Sequence, residues 1–538
     1  MNPPADTASS AASSAAGGLP AAPAPEGQRQ LLQALLLEAR QAREARDAAA
    51  EREALERARL LAPADAGVAL ALAAACLAAG DAPAALAHAG AAARTQPLWQ
   101  ASALQAQACQ RLGRADEAAA HLRSLLADAG TPATRRGAAL RELADLQLNA
   151  FGDARAAALA LDEAARGQPA LALQAALAAL VADLYEGTRR GVDIAAGFAA
   201  LAGQLGVPRE GEGPARAPRA PGARPRIGLV SAQFCASPVG FLTLGALRAL
   251  AREADLIFFD RGAKADWART EFLALAHRWV SCRALDAATL RRLLLAADLD
   301  ALIDLGGWTD PEALAAVASR PARRQLKWVG GQSLSTGLRC FDGFIADARQ
   351  VPPAAAGLYS EPVLHARHGY VTYTAPPYAP ALARAAAQLP APAARPSAGV
   401  YALVSNPAKI STHTARALEK LKPRRLVLVD QRWRHEGTRQ AARRRLGALM
   451  DVAEFVTPAN HPDYLQALAA LDASFVDTAP YAMGLTAIEL RLLGKALHCV
   501  PRSPTALMCE RHGVAHLGAR RFDHHAELGA QLLAWSLG

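Results

Sequence analysis

The sequence predicts an α and α/β protein in which a solenoid of helical repeats precedes two doubly wound lobes. The first part, from Gln28 to about Gly206, places apolar residues at helical spacing throughout. The second part alternates short apolar runs with helical segments, a pattern typical of parallel sheets covered on both faces. Aromatic residues are only 5% of the chain and alanine supplies much of its apolar content, which favours closely packed helices over a β-sandwich.

Composition narrows the possible partners and compartments. A chain of 538 residues is expected to form two to four domains. The net charge of +10 would suit an anionic partner, but the arginines are spread through helices with few interleaved aromatic residues, so nucleic acid is an unlikely partner. Residues 1–26 lack the basic start and apolar core of a signal peptide, and no uninterrupted apolar stretch reaches membrane length. We therefore expect a cytoplasmic protein that does not bind a membrane.

The helical part has the spacing of tetratricopeptide repeats. Residues 1–26 are rich in Ala, Pro, Ser and Gly and are predicted to form a disordered tail. Within 27–206, Gly80 and Gly113 are 33 residues apart and Pro63 and Pro97 are 34 apart, which are tetratricopeptide intervals. Such repeats form either a groove that binds a polypeptide or a rigid spacer and dimerisation surface. The sequence leaves both open, so a homodimer remains one of the expected states.

Two linkers divide the α/β part into lobes. A Pro/Gly/Arg-rich linker is predicted at 207–225, an N-terminal lobe at 226–375, a Pro/Ala-rich linker at 376–398 and a C-terminal lobe at 399–538. The predicted strands are Ile227–Ser231, Leu256–Phe259, Ala301–Leu305, Gln325–Val329, Gly343–Ala346, Val400–Val404, Arg425–Val429 and Ser474–Val476. Two such lobes leave a cleft facing the carboxyl ends of both sheets, where ligands bind.

The C-terminal lobe contains a candidate phosphate site. A buried strand ends at Asp477, a loop with Gly484 follows, and a helix is entered at Thr486. Unpaired N–H groups and the helix dipole make such a helix start favourable for an anion. Lys409 follows the first strand of the same lobe, before a helix capped by Ser411 or Thr412, so its ammonium can reach the same anion. The alternatives are an empty joint and a solvated lysine, but two anion sites on one sheet favour a diphosphate.

The other sequence motifs provide weaker evidence about function. The chain lacks G-x-x-x-x-G-K-[ST] and G-x-G-x-x-G phosphate loops, which argues against NTPases and dinucleotide enzymes. The histidine pairs at 512/516 and 524/525 lack carboxylate or cysteine partners at zinc spacing, so we predict that they are surface or helix-capping residues and that no metal is bound.

Beyond these patterns, the chain resembles the protein O-GlcNAc transferases, including their SPINDLY-type and bacterial members. In that family tetratricopeptide repeats precede a two-lobed catalytic region of the GT-B fold. The resemblance extends from about Arg226 to the end and includes the repeats. The matching segments are Ile227–Phe234, Asp304–Thr309, Ser319–Gly330, Tyr359–Glu361, Asn406–Lys409 and Asp477–Tyr481.

The resemblance implies a metal-independent, inverting transfer of a sugar, GlcNAc or a related one, from a UDP-sugar to Ser or Thr of a protein. No cofactor is implied, because the lysine matched by Lys409 and the helix dipole neutralise the diphosphate. Lys409 and Ser237 are the implied catalytic residues. The implied nucleotide-sugar-binding residues are Ser231, Asn406, Lys409, Tyr481, Gly484, Leu485, Thr486 and Glu489.

Several positions depart from the family pattern. Ser237 occupies the place of a histidine before proline, Gly484-Leu485 replaces the first two residues of a His-Thr-Thr motif, and Glu489 replaces an aspartate. The segment 502–504, Arg-Ser-Pro, replaces a Gly-Glu-Thr. Two alternatives therefore stay open: a non-catalytic repeat scaffold with a degenerate transferase-like domain, and a soluble protein glucosyltransferase with a different donor.

Overall fold

A computed structural model describes residues 26–96, 98–205, 222–331, 334–391, 397–500 and 502–538. Apart from residue 26, the predicted tail lies outside these ranges, as does most of the predicted linker 207–225. The chain divides into two compact units, Met1–Gly130 and Thr131–Gly538. The predicted α and α/β fold class is confirmed.

The described part of the first unit consists of antiparallel helical hairpins. Its helices are α1 (Glu26–Glu44), α2 (Ala48–Leu61), α3 (Ala66–Ala78), α4 (Ala82–Thr95), α5 (Trp99–Arg111) and α6 (Ala115–Ala127). Gly80 and Gly113 adopt left-handed φ values of 85° and 70° in equivalent turns, which explains why glycine recurs there. Alanines fill the helix contacts, as in the 0% exposed Ala54 and Ala85, so the helices approach closely.

The second unit begins with four more helices. They are α7 (Ala133–Asp145), α8 (Ala154–Gly167), α9 (Ala172–Glu186) and α10 (Gly191–Ala202). A π-helical turn, Leu146–Ala150, extends α7 before the left-handed Gly152. By length and composition, one helical stretch of the described chain, Pro169–Glu186, could cross a membrane, with 28% of it buried. Because Leu180 and Leu184 from α9 belong to an apolar cluster that includes sheet residues, we interpret it as a core helix.

The N-terminal lobe is built on a parallel sheet. Its elements are β1 (Arg226–Ser231), α11 (Pro238–Leu250), β2 (Asp255–Asp260), α12 (Trp267–Leu275), β3 (Arg278–Ser281), α13 (Ala287–Ala296), β4 (Ala301–Asp304), α14 (Pro311–Ala318), β5 (Arg324–Lys327), β6 (Gly343–Ala346) and β7 (Val363–His365). In the described residues the strand order is β3-β2-β1-β4-β5-β6-β7. The chain thus winds outward in both directions from β1, which places the carboxyl ends of β1 and β4 side by side at the switch point.

The C-terminal lobe repeats this design. Its elements are β8 (Val400–Leu403), α16 (Thr412–Leu421), β9 (Arg425–Val429), α17 (Glu436–Leu446), β10 (Ala453–Val456), α18 (His461–Ala470), β11 (Ser474–Val476), α19 (Leu485–Leu492), β12 (Leu497–His498), α20 (Met508–Leu517) and α21 (His525–Leu537). The parallel strands have the order β10-β9-β8-β11-β12 where the structure describes them.

Two segments depart from the predicted lobe boundaries. The predicted linker 376–398 contains a short helix, α15 (Ala381–Ala387), which packs through the buried Leu382 and Ala386 and is exposed on its other face. Helix α21 lies within the predicted C-terminal lobe, but Leu528 and Leu532 belong to the core cluster of the N-terminal sheet. Apolar periodicity marks both helices as amphipathic without saying which lobe covers them.

Candidate nucleotide site

The candidate site is formed where β8 and β11 end. These strands are neighbours, with Ser474 opposite Tyr401 and Phe475 opposite Ala402. Because both strands run in the same direction, the loops that follow them, 404–411 and 477–484, emerge at one edge of the sheet. These loops carry four of the eight residues predicted to bind the nucleotide sugar: Asn406, Lys409, Tyr481 and Gly484.

Hydrogen bonds fix the two loops to each other. Ser411 caps α16 by accepting from His413 N at 3.0 Å, and its hydroxyl donates to the carbonyl of Ala479. Thr414 Oγ1 accepts from Ala479 N at 3.0 Å, and the hydroxyls of Ser405 and Thr478 are 3.3 Å apart. These contacts are buried, so they hold the loops in register in the absence of a ligand.

Lys409 ends a short 3₁₀ turn whose start is capped by Asn406. The Asn406 Oδ1 accepts from Ala408 N at 3.0 Å. The Lys409 ammonium lies 4.2 Å from the centre of the Tyr481 ring. Within the described chain, no acceptor is within hydrogen-bond distance of Lys409 Nζ and no carboxylate is near enough to form an ion pair. Burial lowers the pKa of Lys409 to about 8, with Asp477 acting in the opposite direction.

The Tyr481 ring beneath this ammonium is supported by a second aromatic residue. Tyr481 is buried, and its ring makes an edge contact with Tyr185 of α9, with centroids 5.1 Å apart. Asp477, also buried, accepts from Met483 N at 2.7 Å and so shapes the loop that leads into α19. Burial raises the pKa of Asp477 to about 6, while its bond from Met483 and the charges of Arg502 and Lys409 oppose this shift.

Helix α19 presents a start without a side-chain cap. Gly484 is its N-cap and provides no hydroxyl or carboxylate for the first-turn N–H groups. Gly484, Leu485 and Thr486 are partly exposed. The Thr486 hydroxyl accepts from Tyr464 OH at 3.3 Å, whereas Leu485 can offer a ligand only its backbone. The arrangement fits the predicted anion site, because no side chain caps the positive end of the helix dipole.

Glu489 lies deeper and already has partners. It is 1% exposed, and its Oε1 is 2.9 Å from His461 Nε2 and accepts from Tyr373 OH at 3.4 Å. The His461 ring in turn packs on Phe241 of α11 at 4.9 Å. Glu489 therefore joins the two lobes in this structure, and its predicted role in nucleotide binding stays a prediction.

The two serines predicted in the N-terminal lobe serve the turn after β1. Ser231 Oγ accepts from Gln233 N at 3.0 Å. Ser237 caps α11, accepting from Gly240 N at 3.3 Å, and donates its proton to the Gln233 carbonyl at 3.0 Å. A serine that donates to a carbonyl is not activated as a base. The catalytic role of Ser237 stays a prediction without support from its hydrogen bonds.

Comparisons with known proteins identify the relatives of this fold and site. No protein-family model matches the chain. The chain is 26% identical over 287 residues to a probable UDP-N-acetylglucosamine–peptide N-acetylglucosaminyltransferase SPINDLY of Solanum lycopersicum, a match that covers 50% of this chain and 30% of the relative. The Arabidopsis thaliana protein of the same name is 26% identical over 271 residues, covering 47% of this chain and 28% of that protein.

The chain is thus similar to the SPINDLY proteins over about half of its own length. The fold agrees: a mutant of the O-GlcNAc transferase of Thermobaculum terrenum aligns over 95% of this chain and 94% of its own, with a TM-score of 0.57 and 20% identity. The matches span about 30% of the length of the curated SPINDLY relatives. The resemblance predicted from the sequence is confirmed.

The structure corrects the prediction made for two of the histidines. His512 and His516 of α20 are 5% and 3% exposed, so the prediction of surface or helix-capping histidines is wrong for these two. His524 is 1% exposed and is the N-cap residue of α21, although its side chain makes no capping bond. Arg502 donates to the Thr478 carbonyl at 2.9 Å and so braces the loop after β11. The i, i+4 spacing of 512 and 516 was the one available signal, since it places both on one helix face.

Metal binding has no candidate among the described residues. They contain no group of three or more His, Cys, Asp or Glu side chains placed to hold an ion. Metal independence stays an expectation that rests on the resemblance to the O-GlcNAc transferases.

Proposed function

We propose that the protein is an inverting, metal-independent glycosyltransferase that moves GlcNAc or a related sugar from a UDP-sugar to Ser or Thr of a protein acceptor. One observation carries the proposal: the partly buried Lys409 ammonium, above Tyr481, has no anionic or hydrogen-bonding partner among the described residues. A cation that is partly desolvated and unpaired costs free energy unless a ligand compensates it. A diphosphate is the ligand that this geometry and the resemblance both favour.

The proposed mechanism is electrostatic. When the bond between the sugar and UDP breaks, negative charge develops on the leaving diphosphate. Lys409 stabilises that charge as a hydrogen-bonded cation, and the start of α19 stabilises it through the N–H groups after Gly484. Because these groups are held by the loop contacts before the ligand arrives, little reorganisation is needed during the reaction.

The remaining parts have separate proposed roles. The helical repeats bind the acceptor polypeptide, as the repeat groove allows. The protein acts in the cytoplasm, where nucleotide sugars are its substrates and no membrane or nucleic acid takes part. The base that accepts the proton of the acceptor hydroxyl is not assigned to any residue.

The experiment that tests this proposal measures hydrolysis and transfer of radiolabelled UDP-GlcNAc in EDTA, with a lysate treated to remove existing O-linked sugar as the acceptor. We expect activity in the unaltered protein, loss of about two to three orders of magnitude in Lys409→Ala, and no change in Lys420→Ala, an exposed lysine of α16. Activity that survives Lys409→Ala unchanged would contradict the mechanism.

A second candidate is a nucleotide-binding scaffold without transfer activity. It is favoured by the hydrogen bonding of Ser237, which leaves the histidine position of the family without a proton acceptor. This candidate predicts that UDP binds and that Lys409→Ala weakens binding, while neither UDP-GlcNAc nor UDP-glucose is hydrolysed or transferred. Turnover with UDP-glucose alone would instead support the glucosyltransferase alternative.

A further inference from the structure

The start of α19 lacks a side chain of its own at Gly484, but an imidazole from another helix faces that position. A Cβ built on Gly484 would lie 3.8 Å from Cδ2 of His512. His512 belongs to α20, 28 residues further along the chain, and is 5% exposed. The ring atom nearest that position is therefore Cδ2, which is bonded to Nε2.

The opposite edge of this ring is held in place. His512 Nδ1 is 2.9 Å from Gln350 Oε1. Because an amide oxygen can only accept, Nδ1 carries a proton and Nε2 has a lone pair when the ring is neutral. Nε2 has no hydrogen-bond partner among the residues that the structure describes. Stacking fixes the ring plane, since Tyr370 and His516 lie parallel to His512 within 9°.

The charge of Lys409 acts on the same ring. Burial lowers the pKa of His512 most, and the charges of His516 and then Lys409 lower it further. The titratable groups facing the ring are thus His516 on α20, Tyr370 on the stack, and Lys409 on the loop after β8. Asp477 lies beside the next residue of α20, since its Oδ2 would be 1.9 Å from a Cβ on Gly513.

We propose that His512 contacts the diphosphate of the nucleotide sugar through Nε2, supplying from α20 the imidazole that the resemblance expects at Gly484. The inference rests on the proposed nucleotide site and assigns one more binding residue to it. Lys409 and the start of α19 provide the remaining contacts, so the diphosphate meets two side chains and a helix N-terminus.

The geometry of His512 predicts how many protons the protein takes up when UDP binds. Nδ1 is committed to Gln350, so Nε2 can donate to a phosphate oxygen only when the ring is an imidazolium. UDP binding at pH 7 must then take up about one proton at His512. Lys409 contributes only about a tenth of a proton at this pH, because a group with a pKa of about 8 is already mostly charged.

The test is calorimetric titration with UDP at pH 7 in two buffers of different ionisation enthalpy. We expect uptake of close to one proton by the unaltered protein and a loss of most of this uptake in His512→Gln. We also expect His512→Ala to weaken UDP binding about tenfold, because it removes one charge-assisted hydrogen bond, and His512→Gln to recover part of that loss. The comparison variant is His516→Gln, which alters the same stack without facing Gly484, and it should weaken UDP binding less than His512→Ala does.

Four other outcomes of these titrations would contradict the inference or the proposed nucleotide site. UDP binding without proton uptake in the unaltered protein overturns the inference, and this measurement needs no variant to fold. If His512→Ala and His516→Gln weaken UDP binding equally and lower the melting temperature by the same amount, the stacked rings have a structural role. That result also overturns the inference. If UDP does not bind the unaltered protein, the proposed nucleotide site itself fails. If Lys409→Ala weakens binding and both His512 variants do not, only the role of His512 fails.

Discussion

The ammonium of Lys409 lies 4.2 Å from the centre of the Tyr481 ring. A lysine above an aromatic face gains about 0.5–2 kcal/mol from the ring and needs no anion to remain in place. The contact therefore holds the cation in position while leaving its charge uncompensated. This combination of a fixed position and an unpaired charge is what an anion-binding group requires.

The pH dependence of UDP binding follows from this lysine. Its pKa is lowered to about 8 by burial, so the ammonium is present below this pH and is lost as pH rises through it. Binding that depends on the ammonium weakens by about tenfold per pH unit above 8. Titrations from pH 7 to 9.5 measure this fall. Lys409→Ala, with weaker binding, should lose the part that begins near pH 8 and keep the fall that proton uptake at His512 causes from pH 7 upward. Constant affinity of the unaltered protein over that range would contradict the prediction.

The turn between α7 and α8 should position the Lys409 loop. Gly152 has a left-handed φ of 63°, and a Cβ on it would lie 2.8 Å from Ala408 N and 2.9 Å from Pro407 Cβ. Gly152→Ala must displace that loop, so we expect UDP binding to weaken about tenfold. Gly113→Ala is the matched control, because it occupies the equivalent turn one repeat earlier, with φ 70° and no atom within 4 Å of its Cβ.

Both alanine variants carry a similar cost in backbone conformation, about 1 kcal/mol, and Gly152→Ala adds the cost of displacing the loop, so it should lower the melting temperature further. Only the Gly152 variant should lose affinity for UDP. Equal affinities in the two variants would show that the turn does not position the loop.

The His461 and Glu489 pair should stabilise the contact between the lobes. His461→Ala leaves the buried Glu489 carboxylate with the long Tyr373 bond, so we expect the free energy of unfolding to fall by about 1–3 kcal/mol. Urea denaturation of His461→Ala, Glu489→Gln and the double variant measures the coupling between the two residues. Strictly additive losses would mean that the two side chains do not interact.

The central strands were predictable because burial on both faces leaves a clear signal. The apolar runs Ile227–Ser231 and Arg425–Val429 correspond to β1 and β9. The strands that the sequence analysis missed are β3, β7, β10 and β12, which lie at the sheet edges. They are short and only partly buried, as in Arg278–Ser281, so their composition resembles that of loops.

A site residue was predictable only where the neighbouring sequence indicates its position in the fold. Lys409 and the start of α19 each follow a recognisable strand, and the neighbouring order of β8 and β11 brings their loops together. The role of His512 gave no such signal. Its ring is oriented by Gln350, 162 residues earlier in the chain, and only the packing of α20 against the N-terminal lobe brings the two together.

The measurement that tests the account most directly is calorimetric titration with UDP in EDTA, comparing the unaltered protein with Lys409→Ala and Lys420→Ala. We predict binding in the micromolar range without metal, weakened at least about tenfold by Lys409→Ala and unchanged by Lys420→Ala. Absence of binding at millimolar UDP, or equal affinity in the Lys409→Ala variant, would contradict a diphosphate site at Lys409.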